Sequence, residues 1–203
     1  MVMPRTNVAI LAKAPIPGLT KTRLIPSIGA HAAAKLQEAM TERTVLMALA
    51  ARIGPVTLWC ASDPTHASFR ELAAQHKITL KRQPDGDLGL RMLAAFATGP
   101  TLVVGSDCPV LKPEHFVAAA KALRYVDVAL IPAEDGGYVL IGARAAHAEL
   151  FSGMTWGTSS VLAETRAQIA KLGLKSVELA TLWDVDTDAD LLRLERELPE
   201  LSL

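Results

Sequence analysis

The apolar positions of the chain recur with two different periods. Leu102, Val103 and Val104 form a run with no polar alternation, the pattern of a parallel strand covered on both faces. Residues 7–12, 56–60 and 78–82 read as three strands that precede it. Between the first two, Leu36, Met40, Val45 and Leu49 fall at helical spacing in an Ala-rich stretch, which predicts a helix over residues 32–52. Residues 66–75 read as a second helix. The order strand, helix, strand, helix, strand predicts right-handed crossovers and a mostly parallel sheet.

The second half keeps this rhythm with one interruption. Residues 83–90, QPDGDLGL, are turn-forming, and Asp87 is suited to cap a helix over 88–97. After the strand at 102–104, Pro113 suits the first turn of a helix that runs to about residue 124. The apolar runs 126–132 and 138–142 are separated only by AEDGG, which predicts an antiparallel hairpin or a bulged connection in place of a helical crossover. A helix over 159–172, a short strand over 176–179 and a terminal helix over 191–198 complete the reading. The chain contains no internal repeat, linker or low-complexity segment, so residues 1–203 are expected to form one α/β domain, a Rossmann-like α/β/α sandwich with a mixed, mostly parallel sheet.

Composition narrows the function classes. Twenty-one Lys and Arg balance 21 Asp and Glu, so no global field favours a polyanion, and 4% aromatic residues leave little material for stacking bases. Nucleic-acid partners are therefore not expected. No apolar run approaches the roughly 20 residues of a membrane span, and the run from Val8 to Leu11 is too short for a signal-peptide core, so a cytoplasmic protein without a membrane partner is expected. Cys60 and Cys108 have no CxxC partner, and the five histidines show no metal-ligand spacing, which argues against zinc and disulfides.

Two loops carry the candidate chemistry. Residues 13–26, KAPIPGLTKTRLIP, hold three prolines and a glycine and are expected to be irregular. They match neither G-x-G-x-x-G nor a P-loop, yet Lys13, Lys21 and Arg23 bring three cations to one region, where they suit either a diphosphate or plain solvation. The second loop, Gly105 to Leu111, follows the buried strand and puts the Asp107 carboxylate at its carboxyl end. That is the edge where ligands bind in open α/β sheets, although Asp107 equally suits a turn cap. Cys108 reads as a small apolar residue beside the turn, with no His near it in sequence.

Six stretches, AKAPIPGLTKTRL, GDLGLRM, GSDCPVL, EDGGYVLIG, MTWGT and DVDTDADL, run in order from residue 12 to 191. Together they resemble the GT-A-type nucleotide-diphospho-sugar transferase superfamily. Within it the chain is most similar to the bacterial radical-SAM/selenodomain-associated transferase 1 group, a glycosyltransferase-like family. A more distant similarity is to 2-phospholactate and molybdenum-cofactor guanylyltransferases.

The resemblance implies a GT-A fold and a metal-dependent transferase. Its substrates would be a nucleotide sugar, or a nucleoside triphosphate, and a small-molecule acceptor. Glycosyl transfer is the first expectation; nucleotidyl transfer with release of pyrophosphate is the second, and a non-catalytic nucleotide-binding module the third. By resemblance, Asp107 binds Mg²⁺ or Mn²⁺, in an S-D-C context that lacks the D-x-D of many GT-A enzymes. Asp186, and by the same pattern Asp184, either reach the metal or cap the terminal helix. Ala12, Lys13, Lys21, Arg23, Asp87, Arg91 and Ser106 fall on the nucleotide and phosphate side. Gly136, Gly137, Tyr138, Trp156 and Thr158 fall on the acceptor side. The metal on Asp107, assisted by Lys21 and Arg23, would stabilise the departing diphosphate, and Asp135 is the candidate base for the acceptor hydroxyl. The glycines beside Asp135 and the ring of Trp156 also suit a plain hairpin turn and a core position.

Overall fold

Strands that run through the middle of the molecule are apolar on both sides because both sides are covered. The computed structural model describes residues 5–61 and 63–201. Seven strands, β1 (Asn7–Lys13), β2 (Val56–Ala61), β3 (Thr79–Arg82), β4 (Thr101–Gly105), β5 (Val128–Pro132), β6 (Tyr138–Ala143) and β7 (Ser176–Glu178), form one sheet in the order β3-β2-β1-β4-β6-β5-β7. β6 runs antiparallel to both of its neighbours, and every other pairing is parallel.

Alternate residues of each central strand feed two cores. Val8, Ile10, Leu102 and Val104 pack with α2 (Ala30–Ala51), α3 (Ala67–His76) and α5 (Pro113–Ala122). Ala9, Val103 and Ile141 pack on the opposite face with α4 (Leu88–Ala95), α6 (Val161–Lys171) and the stacked rings of Phe96 and Phe151. A third cluster joins Leu36 and Met40 of α2 to Trp183, Val185 and Leu194, the last in α7 (Asp188–Glu197).

Two expectations change in detail, and one element is new. The proline-rich loop is not irregular throughout: Thr22–Leu24 form a 3-10 turn and Ile25–Ile28 a single helical turn, α1, because Pro26 sits at the helix start where its missing N–H costs nothing. The terminal helix begins at Asp188, three residues earlier than its apolar pattern indicates. Its first turn is closed by Thr187 as N-cap and Asp190, whose carboxylate accepts from the Thr187 N–H at 2.7 Å. A 3-10 turn at Ala148–Phe151 had no pattern to announce it.

The connection between β5 and β6 is a hairpin with a register shift at Ile131/Pro132, so both forms expected of AEDGG are present. Gly136 there has φ +91°, and a Cβ on it would lie 2.3 Å from the Ser159 carbonyl oxygen. Its close approach is thus to the entry of α6, an arrangement sealed by the Leu162 N–H donating to the Gly136 carbonyl at 2.9 Å.

The parallel strand order reverses between β1 and β4. From β1 the chain crosses to β2 on one side, and from β4 it crosses to β5 on the other, which opens a crevice at the carboxyl ends of these two strands. Residues 182–185 close one side of it. Leu182 N–H donates to Pro132 O at 3.0 Å, Glu134 N–H to Leu182 O at 2.9 Å, and Val185 N–H to Asp107 O at 3.0 Å.

Candidate active site

The crevice is a cavity of about 630 Å³. Lys13 and Ala12 reach it from the end of β1, Lys21 and Arg23 from the following loop, Arg91 from α4, and Ser106 and Asp107 from the turn after β4. Four basic side chains, Lys13, Lys21, Arg23 and Arg91, and three acidic ones, Asp107, Asp184 and Asp186, line its wall.

Lys21 and Arg23 do not converge as free cations. Lys21 has left-handed backbone (φ 47°, ψ 42°) and turns its side chain inward, where it is 4% exposed. Its ammonium forms an ion pair with Asp107 Oδ1 at 2.6 Å and donates to the Val185 carbonyl at 2.6 Å and to Asp186 Oδ1 at 3.3 Å. Burial alone would lower its pKa, but the two carboxylates outweigh burial and raise it, so the group is charged. Arg23 is 72% exposed, with one long contact of 3.5 Å to Asp186 Oδ2. Arg91 is steadied by its Nε donating to the Gly86 carbonyl at 3.1 Å.

The acidic side is built by the segment that the sequence left between two readings. Thr187 and Asp190 supply the helix cap, and Asp188 accepts from the Ser27 hydroxyl at 2.6 Å, so Asp184 and Asp186 are released to face the cavity. The spacing Thr187-x-x-Asp190 is a capping-box pattern, and it was the signal that could have separated the two roles. Asp184 has its pKa pushed up to about 6, first by burial and then by the charges of Asp135, Asp186 and Asp107. Asp135, Asp186 and Asp107 thus all add negative charge at the position of Asp184.

Other candidates are engaged elsewhere. Ser106 is buried, and its hydroxyl accepts from Gln37 Nε2 at 2.9 Å, which ties the Asp107 turn to α2. Asp87 caps α4, accepting from the Leu90 N–H at 2.9 Å, and is not part of the wall. Asp135 accepts from the Gly137 N–H at 2.8 Å and stands outside the wall, although its charge reaches Asp184. The Tyr138 ring lines the cavity while burial raises its phenol pKa, with Met92 Sδ 3.9 Å from the hydroxyl.

Trp156 and Thr158 are not gathered with the rest. Trp156 packs over Gly89, where a Cβ would lie 2.9 Å from its ring, and among the described residues its indole N–H has no partner. Thr158 donates to the Thr155 carbonyl at 2.7 Å. Cys108 is buried with its thiol pushed up to about 12 by desolvation, so it is no nucleophile at neutral pH.

Gln83 was missed by the sequence reading. It is buried in the wall, and its amide nitrogen donates to the carbonyls of Trp59 at 2.8 Å and Ala12 at 3.5 Å. Two carbonyl partners fix which end is nitrogen, and among the described residues no donor reaches Oε1.

The donor set fits a hard divalent ion. Asp107 and Asp184 offer oxygen only, and Asp107 is 45% exposed with Oδ2 free of Lys21. Among the described residues no three His, Cys, Asp or Glu side chains are grouped to hold an ion unaided, which suits Mg²⁺ or Mn²⁺ bound by one or two carboxylates and completed by water and phosphate.

Sheet order, crevice and lining define a GT-A-like nucleotidyltransferase fold. The chain superimposes on a protein from Desulfovibrio desulfuricans G20, provisionally described as a nucleotide-diphospho-sugar transferase, with TM-score 0.84 and 27% identity over 95% of this chain and 88% of that one. It matches a nucleotidyl transferase from Methanothermobacter thermautotrophicus with TM-score 0.65 and 14% identity over 97% and 99% of the two chains. Glucosyl-3-phosphoglycerate synthase from Mycobacterium tuberculosis, in complex with Mn²⁺, UDP and phosphoglyceric acid, gives TM-score 0.56 and 14% identity over 97% and 77%. No curated protein matches the chain. Residues 44–158 match the family described as "Uncharacterized protein conserved in bacteria (DUF2064)", and the chain belongs to that family.

Proposed function

We propose that the protein transfers a glycosyl group from a nucleotide diphosphate sugar to a small acceptor, as the resemblance to glycosyltransferase-like transferases implies. The observation that carries this reading is that one crevice at the strand reversal is lined both by the Asp107 carboxylate and by the cations Lys13, Arg23 and Arg91. Arg23 presents a planar fork to a diphosphate, and Lys13 and Arg91 add charge along the same wall. Gln83, in the same lining and with its Oε1 unpartnered among the described residues, would accept from an N–H of the base.

Mg²⁺ or Mn²⁺ would be held by Asp107 with Asp184, and would supply stabilisation of the charge that develops on the leaving diphosphate. Asp135 takes the acceptor proton only if the acceptor sits at the rim, because its carboxylate lies outside the wall and keeps only Oδ2 free of the Gly137 N–H. The distal side of the cavity, with Leu88, Met92 and the Tyr138 ring, offers the acceptor an apolar surface.

A second reading, nucleotidyl transfer, is favoured by size. The chain covers 99% of the nucleotidyl transferase but 77% of the glucosyl synthase. Incubation with Mg²⁺ and a panel of nucleotide sugars or nucleoside triphosphates, with phosphorylated small acids as acceptors, separates the two. Release of nucleoside diphosphate from a nucleotide sugar supports glycosyl transfer. Pyrophosphate from a triphosphate instead would establish the second reading, and binding without turnover would leave a nucleotide-binding module.

A further inference from the structure

Lys21 is the unusual member of this site. Three oxygens of the protein surround its ammonium, which pairs with Asp107 Oδ1 at 2.6 Å and donates to Val185 O at 2.6 Å and Asp186 Oδ1 at 3.3 Å. With a side chain 4% exposed, its charge is spent on the protein's own oxygens. It nevertheless forms part of the cavity wall, and the carboxylate it holds, Asp107, is 45% exposed on the same wall. A lysine that only stabilised the fold would gain little from pairing with a carboxylate that half faces solvent.

We propose that Lys21 is a positioning residue that acts as an internal counter-cation for Asp107, holding it against free divalent ions until a phosphate takes over the ammonium. This rests on the reading of Asp107 as the metal carboxylate. The exchange balances in charge. The ammonium moves from a carboxylate to a phosphoryl oxygen of comparable basicity, and the divalent ion takes the carboxylate that is vacated. Lysine suits this role, since its ammonium is a compact charge on a flexible stem and loses no planar geometry when it changes partner. Its left-handed backbone and the Val185 carbonyl fix the starting position, and the adjoining Arg23 is free to meet the phosphate first. The consequence is an order of binding: the divalent ion enters as its complex with the nucleotide and does not load beforehand.

Mn²⁺ titration followed by the electron paramagnetic resonance of the free ion tests this without reference to turnover. Wild type, Lys21→Met and the double variant Lys21→Met/Asp107→Asn are compared without nucleotide, and then with UDP or GDP. Without nucleotide, Lys21→Met is expected to bind Mn²⁺ about 10-fold or more tighter than wild type, because a dication no longer meets an ammonium within roughly 4 Å. UDP or GDP should tighten Mn²⁺ binding to wild type by a larger factor than to Lys21→Met. Equal or weaker Mn²⁺ binding by Lys21→Met overturns the exchange. If the double variant binds Mn²⁺ as tightly as Lys21→Met, the ion is not at Asp107 and the metal assignment itself fails. Wild type alone gives a check that needs no altered chain: Mn²⁺ by itself should leave its melting temperature unchanged, whereas Mn²⁺ with the nucleoside diphosphate raises it. A rise with Mn²⁺ alone equal to that with both would sink the proposal.

Discussion

Arg23 and Lys21 stand two positions apart and meet opposite surroundings, solvent in one case and three oxygen acceptors in the other. Each charge-assisted hydrogen bond to phosphate contributes ~1.5 to 3 kcal/mol, so Arg23→Ala should weaken nucleoside diphosphate binding by roughly 10-fold to 150-fold. Arg23→Lys should restore part of that, and binding of the bare nucleoside should hardly change. Calorimetric titration of both ligands decides it, because equal losses for nucleoside and diphosphate would mean that Arg23 acts through structure. Asp184 gives a residue-scale prediction of the other sign. Its carboxyl is pushed from 3.8 to about 6, so the neutral form is the one favoured by folding. The associated stability is fully present below the unfolded pKa and is lost as pH rises through about 6. At neutral pH the ionised group is destabilising, by less than the full shift would give because solvent screens part of the charge. Asp184→Asn should therefore be more stable than wild type at pH 7.5, with the gap closing toward pH 4, while nucleotide-dependent Mn²⁺ binding falls. Urea midpoints at the two pH values measure it, and a pH-independent gap would show that the crowding of charge is not the cause.

At the scale of elements, the hairpin and α6 meet through one backbone contact. Gly136→Ala puts a Cβ 2.3 Å from the Ser159 oxygen and asks alanine to hold φ +91°, so it should cost more than about 2 kcal/mol. Chemical denaturation would read this as a lower midpoint; an unchanged midpoint would mean that the contact relaxes freely. The elements themselves were largely legible. Unalternated runs such as Leu102 to Val104 announced central strands, and Asp87 announced the start of α4. What escaped was of two kinds. Local rules were present but ambiguous in DVDTDAD, where several residues suit a cap and only Thr187 with Asp190 forms one. Tertiary partners were invisible: nothing in K-T-R says that Lys21 turns inward, because its acceptors Val185 and Asp186 lie 164 and 165 positions away. Trp156 escaped for a similar reason, since the turn that carries it packs on Gly89 of α4, far away in the chain.

Across the whole molecule, the cores on the two faces of the sheet make no use of the acidic cluster, so fold and site are separable. Removing divalent ions with EDTA should leave the melting temperature of the free protein unchanged. It should abolish the shift caused by a nucleoside diphosphate, which at ~100 times its dissociation constant is worth roughly 2.7 kcal/mol. A protein that melts earlier in EDTA alone would carry a structural ion that this arrangement does not foresee. Asp107 and Lys21 also belong to the two loops flanking the strand reversal, which is why the order of strands was the part of the fold that mattered most for locating chemistry.

The strip at residues 182–186, hydrogen-bonded between the hairpin and Asp107, bears on how the protein is made. Ribosomes deliver a chain from its amino end, and all seven strands emerge before this strip does. Until it arrives, Lys21 lacks the Val185 carbonyl and the Asp186 carboxylate, and Asp107 lacks its backbone partner. Once the sheet has formed, only the short link from β7 to this strip remains to be closed, so the strip docks late because it is delivered late. A nascent chain can thus bury its sheet while its carboxylates and its lysine remain unassembled, and the pairing of Lys21 with Val185 and Asp186 is the last part of the crevice to form.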